Sequence, residues 1–216
     1  MDQRVSDLQA ARVDPHAPLL IVDVDEVIAH FVGGFSAFLD RHGFELRTDR
    51  YALFQNIFRP GEVEHLDMAL GYQLYNDFFR EGTDLLPPVD GAADALATLS
   101  TRAAVVILTN APECGRHPRA AWLKKHGFDY PMVIGSGPKG EPAATLAART
   151  TGSVAFIDDL LPNLDSVEQI APAISRFQIV AHPQLRHLAP AAPDRHARFH
   201  EWSELHPALE KALWPA

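Results

Sequence analysis

The chain has 216 residues, of which 47% are hydrophobic. This is enough for one sizeable domain, or for one domain that carries a smaller insert. Its formal net charge of −9 argues against broad contact with a nucleic acid polymer or an anionic membrane surface. A small anionic substrate remains compatible with that charge, because one lysine, a few backbone amides or a bound cation can reverse the sign locally.

The single cysteine, Cys114, excludes an internal disulfide and is typical of a reducing compartment. Residues 1–18 are polar and lack the apolar stretch of a signal peptide. No part of the chain approaches the ~18 uninterrupted apolar residues that a membrane span needs. We therefore expect a cytoplasmic protein. A homodimer is compatible with these totals, which do not determine the oligomeric state.

Short apolar runs recur along the chain, and most are followed by a segment with helical character. The runs are nearly continuous rather than alternating, as is typical of strands that are buried on both faces. Five strands are predicted, at 17–23, 103–109, 131–135, 153–158 and 176–181. Helices are predicted at 90–100, 117–127, 141–152, 161–172 and near 203–213. Alternating strands and helices predict an α/β fold with a doubly wound, Rossmann-like parallel sheet.

The stretch from about 29 to 84 interrupts this alternation. It contains two helical segments, no convincing strand and many aromatic residues, most of which we expect to fill a small helical core. Residues 85–91 resemble a stiff connector that returns the chain to the sheet. We therefore predict a core domain made of 1–28 and 85–216, with a small helical cap domain, 29–84, inserted after the first strand. Residues 182–193 are predicted to form a loop.

Two carboxylates, Asp23 and Asp25, stand at the end of the first predicted strand, in the segment PLLIVDVDEV. The two-residue period of a strand allows both side chains to lean to the same side. Two carboxylates placed in this way repel each other unless a cation or a shared proton relieves them. The structural alternative is that Asp25 caps a helix that begins near Val27.

Polar residues also follow two other predicted strands. Thr109 and Asn110 end the second strand, Asp158 and Asp159 end the fourth, and Lys139 lies in GSGPKG just before a helix. Ligands of open parallel sheets bind outside the carboxyl ends of the strands. Such a set suits phosphoryl chemistry, which uses hard oxygen ligands for a divalent cation, positive or hydroxyl donors for the phosphoryl group, and a carboxylate nucleophile.

These motifs resemble the haloacid-dehalogenase-like (HAD-like) superfamily, and in particular its phosphatase branch. That family carries Asp-x-Asp on the first strand, Ser or Thr on the second, Lys before a later helix, and paired acids on the fourth strand. All four motifs occur here in that order, and the insert corresponds in position to the family's first type of cap. The resemblance covers essentially the whole chain. It implies a phosphomonoester hydrolase that uses Mg²⁺ and a small phosphorylated substrate.

The resemblance also implies catalytic roles. Asp23 would attack phosphorus to form an aspartyl-phosphate, and Asp25 would protonate the leaving oxygen and later deprotonate water. Thr109 and Lys139 would hold the phosphoryl group, with Asn110 as a further substrate contact. An acid at position 25 favours phosphate-ester hydrolysis over carbon–halogen cleavage, because the dehalogenase branch lacks that acid.

The implied metal site is formed by carboxylates. Its ligands would be Asp23, Asp25, Asp158 and Asp159, with Asp159 favoured as the direct ligand of the last pair. One departure from the family pattern concerns the residues after Asp25, where the family usually has Gly-Thr and this chain has Glu26 and Val27.

The segment DVDEVIAHFVGGFSAFL is similar to the corresponding region of the 5′(3′)-deoxyribonucleotidases within that superfamily. The shared pattern is Asp-x-Asp-x-Val, then Ala-x-Phe, then Gly-Gly-Phe. In that family the phenylalanine at the position of Phe31 helps pack against the nucleobase, because an aromatic face stacks on a planar base. This similarity implies a (deoxy)nucleoside monophosphate as substrate. The alternative is that Phe31 only joins the insert to the core.

Several other interpretations stay open. GSGPKG (135–140) fits Gly-x-Gly-x-x-Gly, and Asp158 follows at close to the spacing of a dinucleotide-binding fingerprint, which would indicate an NAD-linked oxidoreductase. Against this, Pro138 removes an amide donor. A non-catalytic relative that binds a phosphorylated ligand, and a phosphotransferase, are further alternatives. The histidines of the tail invite a metal-site interpretation, but a solvated loop is favoured because no recognised ligand spacing is present. These residues are His182, His187, His196 and His200.

Overall fold

A computed structural model describes residues 3–215 of the chain, so residues 1, 2 and 216 of the predicted core lie outside the described residues. The strands are β1 (Leu19–Val22), β2 (Glu45–Leu46), β3 (Ile57–Phe58), β4 (Ala104–Asn110), β5 (Met132–Gly135), β6 (Val154–Asp158), β7 (Ser175–Ile179) and β8 (Ala197–Phe199). The α-helices are α1 (Gln3–Ala10), α2 (Phe31–Arg41), α3 (Met68–Asp77), α4 (Ala92–Ser100), α5 (Arg116–Lys125), α6 (Gly140–Ala147), α7 (Leu161–Ile170) and α8 (Trp202–Leu213).

Six of the strands form one parallel sheet in the order β5-β4-β1-β6-β7-β8. β1 lies in the interior of the sheet, where Val22 pairs with Ile107 of β4 on one side and with Ile157 of β6 on the other. The predicted α/β fold with a doubly wound parallel sheet is therefore confirmed.

The two faces of the sheet have separate apolar cores, which explains the continuous apolar runs in the sequence. Leu20 and Val22 of β1 pack into one core, and Leu19 and Ile21 pack into the other. Because successive side chains of a strand point to opposite faces, a strand covered on both faces must be apolar at every position.

Two elements near the chain ends were not predicted. β8 is only three residues long, has no apolar run and pairs with β7, so its sequence carries no strand signal. α1 has no buried residue and carries only Val5 and Leu8 as large apolar side chains, too few to identify a helix from its apolar periodicity. It is fastened by Asp7, which pairs with Arg116 at 2.9 Å and accepts a hydrogen bond from the Ile134 amide.

The insert between β1 and α4 contains α2 and α3, as predicted, but the expectation that it has no strand is wrong. β2 and β3 form a short antiparallel pair. Its aromatic residues pack as expected: Phe35 and Phe78 are fully buried, and their ring centroids lie 5.3 Å apart. These rings are continuous with the core on one face of the sheet. The boundaries of a separate cap domain at 29–84 stay a prediction.

Among residues 3–215, no helix has both the length and the apolar character that crossing a bilayer requires.

Candidate active site

The chain turns sharply just after β1. The Asp23 amide still donates to the carbonyl of Ile157 on β6, and then the amides of Ile28 and Ala29 both donate to the carbonyl of Val24. Glu26, inside this turn, has a φ of 59°, which is a left-handed conformation that costs a residue with a side chain more than it costs glycine. No helix begins near Val27, because α2 starts at Phe31. The alternative that Asp25 caps a helix at Val27 is therefore wrong.

Three buried carboxylates meet at the carboxyl end of the sheet. Asp23 follows β1, Asp158 ends β6 and Asp159 comes next, and one oxygen of each lies within 4.8 Å of the others. Lys139, in the turn before α6, is 1% exposed. Its Nζ lies 2.7 Å from Asp23 Oδ1 and 2.6 Å from Asp158 Oδ2. The fold therefore brings together acids and an amine that are widely separated in the chain.

The two acids that follow β6 are held by different partners. Asp158 Oδ1 accepts hydrogen bonds from Asn163 Nδ2 and from the Leu160 amide, both at 2.9 Å. Asp159 Oδ2 accepts a 2.8 Å hydrogen bond from the hydroxyl of Tyr51. Tyr51 belongs to the insert, so the insert contacts the carboxylate cluster directly. The sequence interpretation missed both Asn163 and Tyr51.

Burial makes this cluster costly as long as its negative charge is not balanced. Burial raises the pKa of Asp23 to about 7, although the attraction of Lys139 opposes the shift. Burial, together with the charge of Asp158, raises the pKa of Asp159 well above its usual value. Burial alone would lower the pKa of Lys139, but Asp158 and Asp23 more than offset it, so that pKa is raised. Three carboxylates facing one ammonium group offer the hard oxygen donors that fit a divalent metal ion.

Asp25 has a different partner. Arg119 of α5 is fully buried and donates to both Asp25 oxygens, at 2.7 and 2.9 Å. Its guanidinium also lies 4.8 Å from the ring centroid of Phe79. In this structure Asp25 is therefore turned towards Arg119 rather than grouped with the other three carboxylates. The sequence contained one signal for Arg119, since it shares the buried face of α5 with Trp122 and Leu123, where an arginine without a partner would be costly.

Glu26 is buried within the turn after β1. Its Oε1 accepts a 2.7 Å hydrogen bond from the amide of Val32 in the first turn of α2, where His30 supplies no side-chain cap. Its Oε2 is buried without a hydrogen-bond partner among the described residues. Burial raises the pKa of Glu26 to about 8. Glu26 thus links the turn after β1 to the helix that carries Phe31.

A cavity of about 500 Å³ opens above the carboxylates. Of the predicted site residues, six line it and two are fully buried instead. The lining residues are Asp23, Asp25, Phe31, Asn110, Lys139 and Asp159, and the fully buried ones are Thr109 and Asp158. The Thr109 hydroxyl has no hydrogen-bond partner in the described part of the chain. Phe31 both borders the cavity and packs on other rings, with its centroid 5.4 Å from that of Phe35.

The GSGPKG turn joins β5 to α6. Helix packing explains its last glycine and ion pairs explain its lysine, so neither residue requires a bound dinucleotide. A Cβ added at Gly140 would lie 2.4 Å from the carbonyl oxygen of Ser166, so close packing of α6 on α7 requires that glycine. Lys139 of the same turn is committed to Asp23 and Asp158. β5 is also an edge strand, whereas the dinucleotide fingerprint lies in the turn after the first strand.

The expectation of a solvated loop around the tail histidines is wrong for His196. This residue is 1% exposed, and its Nε2 lies 3.0 Å from Asp165 Oδ1. Glu168 joins them in a second cluster of possible ligands, but Arg195 pairs with both acids and Arg176 pairs with Glu168. His187 is exposed, as expected.

No family model and no curated protein matches this chain. Solved structures do match. A Bacillus subtilis protein described as a HAD hydrolase and bound to magnesium is 17% identical with a TM-score of 0.61, over 90% of this chain and 99% of that one. A HAD-family hydrolase from Deinococcus radiodurans with bound phosphate and sodium is 17% identical with a TM-score of 0.58, over 94% and 99%.

A Thermotoga maritima protein described as a β-phosphoglucomutase is 16% identical with a TM-score of 0.57, over 91% of this chain and 100% of that one. These identities are too low to transfer an activity, since one fold hosts many functions. The structural similarity shows that the chain has the fold of HAD-superfamily hydrolases. In this chain the carboxyl end of the sheet carries an acidic cluster.

Proposed function

We propose that the chain is a Mg²⁺-dependent phosphomonoester hydrolase that acts through an aspartyl-phosphate on Asp23. The observation that carries this proposal is the convergence of Asp23, Lys139 and Asp159 at one cavity, with the fully buried Asp158 paired to Lys139 and grouped with the other two carboxylates. Buried like charges are costly, and phosphoryl-transfer sites use such carboxylates to hold a cation.

Asp23, Asp158 and Asp159 would hold Mg²⁺ in this proposal. What the bound ion supplies is charge neutralisation, which lets a phosphate dianion approach an aspartate carboxylate. The ammonium group of Lys139, which lines the cavity, donates to the non-bridging oxygens of the phosphoryl group. Thr109 is assigned the same role because its hydroxyl has no other partner among the described residues, although it is fully buried and outside the cavity lining, so the phosphoryl group has to reach it at the end of β4.

The reaction then has two steps. An oxygen of Asp23 forms a bond to phosphorus while the bond to the leaving oxygen breaks, and Asp25 gives its proton to that oxygen. Asp25 next removes a proton from water, whose oxygen attacks phosphorus, and inorganic phosphate leaves as Asp23 is regenerated. Because Arg119 holds both oxygens of Asp25, at least one of these bonds has to open before Asp25 reaches the leaving oxygen.

The first test compares wild type, Asp23→Asn and Asp94→Asn on p-nitrophenyl phosphate. Asp94 is an exposed residue of α4 and serves as a matched control. We expect Mg²⁺-dependent hydrolysis by wild type and the control, loss of it in Asp23→Asn, and an added phosphoryl group on Asp23 in acid-quenched mass spectra. Asp25→Asn should form this intermediate poorly and break it down slowly. Wild-type turnover by Asp23→Asn would contradict the proposal, and a wild type inert on every ester would favour the non-catalytic relative.

We further propose a (deoxy)nucleoside monophosphate as a substrate, supported by the position of Phe31 on the cavity wall. Phe31→Ala should lower kcat/KM for deoxynucleoside monophosphates more than for p-nitrophenyl phosphate. Phe38→Ala is the control, because Phe38 is buried in the same aromatic core but does not line the cavity. Equal losses on both substrates for Phe31→Ala would remove this support.

A further inference from the structure

The cavity has a second wall that the proposed chemistry does not use. On this side the lining is formed by apolar side chains, supplied by the start of α2, by the insert, by the residue after Asp159 and by the segment after β7. They are Phe31, Val32, Leu53, Leu160, Leu185 and Pro190. An apolar wall next to a set of polar catalytic groups is the usual form of a site that encloses the rest of a small substrate.

The uncharged polar groups of the cavity are already engaged. The Tyr51 hydroxyl donates to Asp159, Asn110 Nδ2 donates to the carbonyl of Gly137, and Asn163 Nδ2 donates to Asp158. These contacts are all within the protein, and the carboxylates of the lining can still accept hydrogen bonds from a substrate hydroxyl group, so the polar side of the cavity does not by itself exclude such groups.

Most of the charged residues that line the cavity are acidic. Among the described residues around the cavity the acids are Asp23, Asp25, Glu26 and Asp159, and the one cation is Lys139. Lys139 already lies against Asp23 and Asp158, and the proposed mechanism assigns it to the phosphoryl group. No second cation lines the cavity within residues 3–215. A second anionic group on the substrate would therefore find no cation to pair with, since Arg119 is fully buried and already holds both oxygens of Asp25.

We propose that the group released from the phosphate ester carries no negative charge and packs an apolar or aromatic face against this wall. This inference rests on the proposed hydrolase function and narrows its substrate class. The cavity volume of about 500 Å³ leaves room for such a group beside the phosphoryl group, and its transfer from water to the apolar wall supplies binding energy.

The test uses three phosphate esters whose leaving groups are all primary alcohols, so that the intrinsic reactivity of the esters is closely matched. They are benzyl phosphate, phosphoglycolate and glucose 6-phosphate. With Mg²⁺ present, kcat/KM for benzyl phosphate should exceed that for phosphoglycolate by about 100-fold, because the lining offers no cation for the carboxylate of phosphoglycolate. It should also exceed kcat/KM for glucose 6-phosphate, because glucose offers no aromatic face to the apolar wall. Equal rates, or a preference for phosphoglycolate or glucose 6-phosphate, would overturn the inference.

A binding measurement separates this inference from the hydrolase proposal. Calorimetric titration with benzylphosphonate and with phosphonoacetate, at fixed Mg²⁺, needs no turnover. Tighter binding of benzylphosphonate supports the apolar wall as a selective surface, even if no ester is hydrolysed and the proposed function fails. Tighter or equal binding of phosphonoacetate overturns the inference, even if the protein is an active phosphatase.

A charge variant tests the cause of the selectivity. Ala52 is exposed and lines the cavity, so Ala52→Lys adds a cation there without removing a buried side chain. We expect this change to raise kcat/KM for phosphoglycolate relative to benzyl phosphate by about 10-fold. Val63→Lys, at a residue of the insert that is 90% exposed and outside the cavity, is the matched control and should leave the ratio unchanged. An unchanged ratio in Ala52→Lys would contradict the electrostatic part of the inference.

Discussion

Tyr51→Phe should weaken Mg²⁺ binding by about 10- to 100-fold and leave the fold intact. The hydroxyl of Tyr51 lies 2.8 Å from Oδ2 of Asp159, and Asp159 is 6% exposed. A hydrogen bond to a charged group contributes about 1.5–3 kcal/mol, and every ~1.4 kcal/mol is a factor of ten in affinity. Loss of this hydrogen bond should destabilise mainly the metal-bound form of the protein, because Asp159 must be ionised and oriented in that form.

Tyr51 should favour Mg²⁺ binding in two ways. Its hydrogen bond lowers the pKa of Asp159, against the larger raising effects of burial and of Asp158. Without it, a proton competes more strongly with the cation for this carboxylate. The same bond also fixes the direction of Asp159, as partners of metal ligands generally do.

The assay is calorimetric titration of wild type, Tyr51→Phe and Tyr72→Phe with MgCl₂, without substrate. Tyr72 belongs to the same insert and is 53% exposed, so its variant controls for the loss of a tyrosine hydroxyl. Far-UV circular dichroism and thermal unfolding without metal check that each variant is folded. If folded Tyr51→Phe bound Mg²⁺ within about twofold of wild type, a role for Tyr51 in holding the metal ligand would be refuted.

Two predictions concern pH. Because burial raises the pKa of Glu26 from 4.5 to about 8, the folded state retains a proton between these values that the unfolded state loses. Wild-type stability should therefore fall relative to Glu26→Gln by up to about 1.4 kcal/mol per pH unit as pH rises through this window, and equal slopes in urea unfolding would disprove this. Because the pKa of Asp23 is raised to about 7, the Kd for Mg²⁺ should increase as pH falls below 7, by about 10-fold per unit in calorimetry. A Kd that is constant from pH 6 to 8 would contradict this expectation.

The backbone conformation at Glu26 is one that favours glycine, which is the residue that the HAD-like pattern usually has at this position. The HAD-like pattern usually has glycine at this position, and the left-handed φ of 59° is a conformation that glycine adopts at little cost. The chain keeps a glutamate there, whose carboxylate caps the start of α2 through Val32. Nothing in the sequence around position 26 indicated this contact, because it depends on how the turn places α2.

The sheet could be predicted from sequence because burial on both faces leaves a local signal. A run such as Leu19–Val22 is apolar at every position whatever its neighbours are, and polar residues that follow such runs must lie at the carboxyl edge of a parallel sheet. The positions of Asp23, Lys139 and Asp158 at one edge follow from this pattern. The short strands β2, β3 and β8 were missed because two or three residues are too few to show a period.

The amino-acid sequence by itself determined the class of fold and identified Asp23, Asp25, Asp158 and Asp159 as acids at the ends of strands, because apolar runs and the residues that end them are local properties of the chain. Tertiary structure alone decided the partners of Asp25 and Asp159, whereas Asp158 also bonds its own neighbours Leu160 and Asn163. Tyr51 is 108 residues from Asp159, and Arg119 is 94 residues from Asp25. Such pairings depend on the packing of the insert and of α5 against the sheet, and this packing leaves no periodic pattern in the sequence.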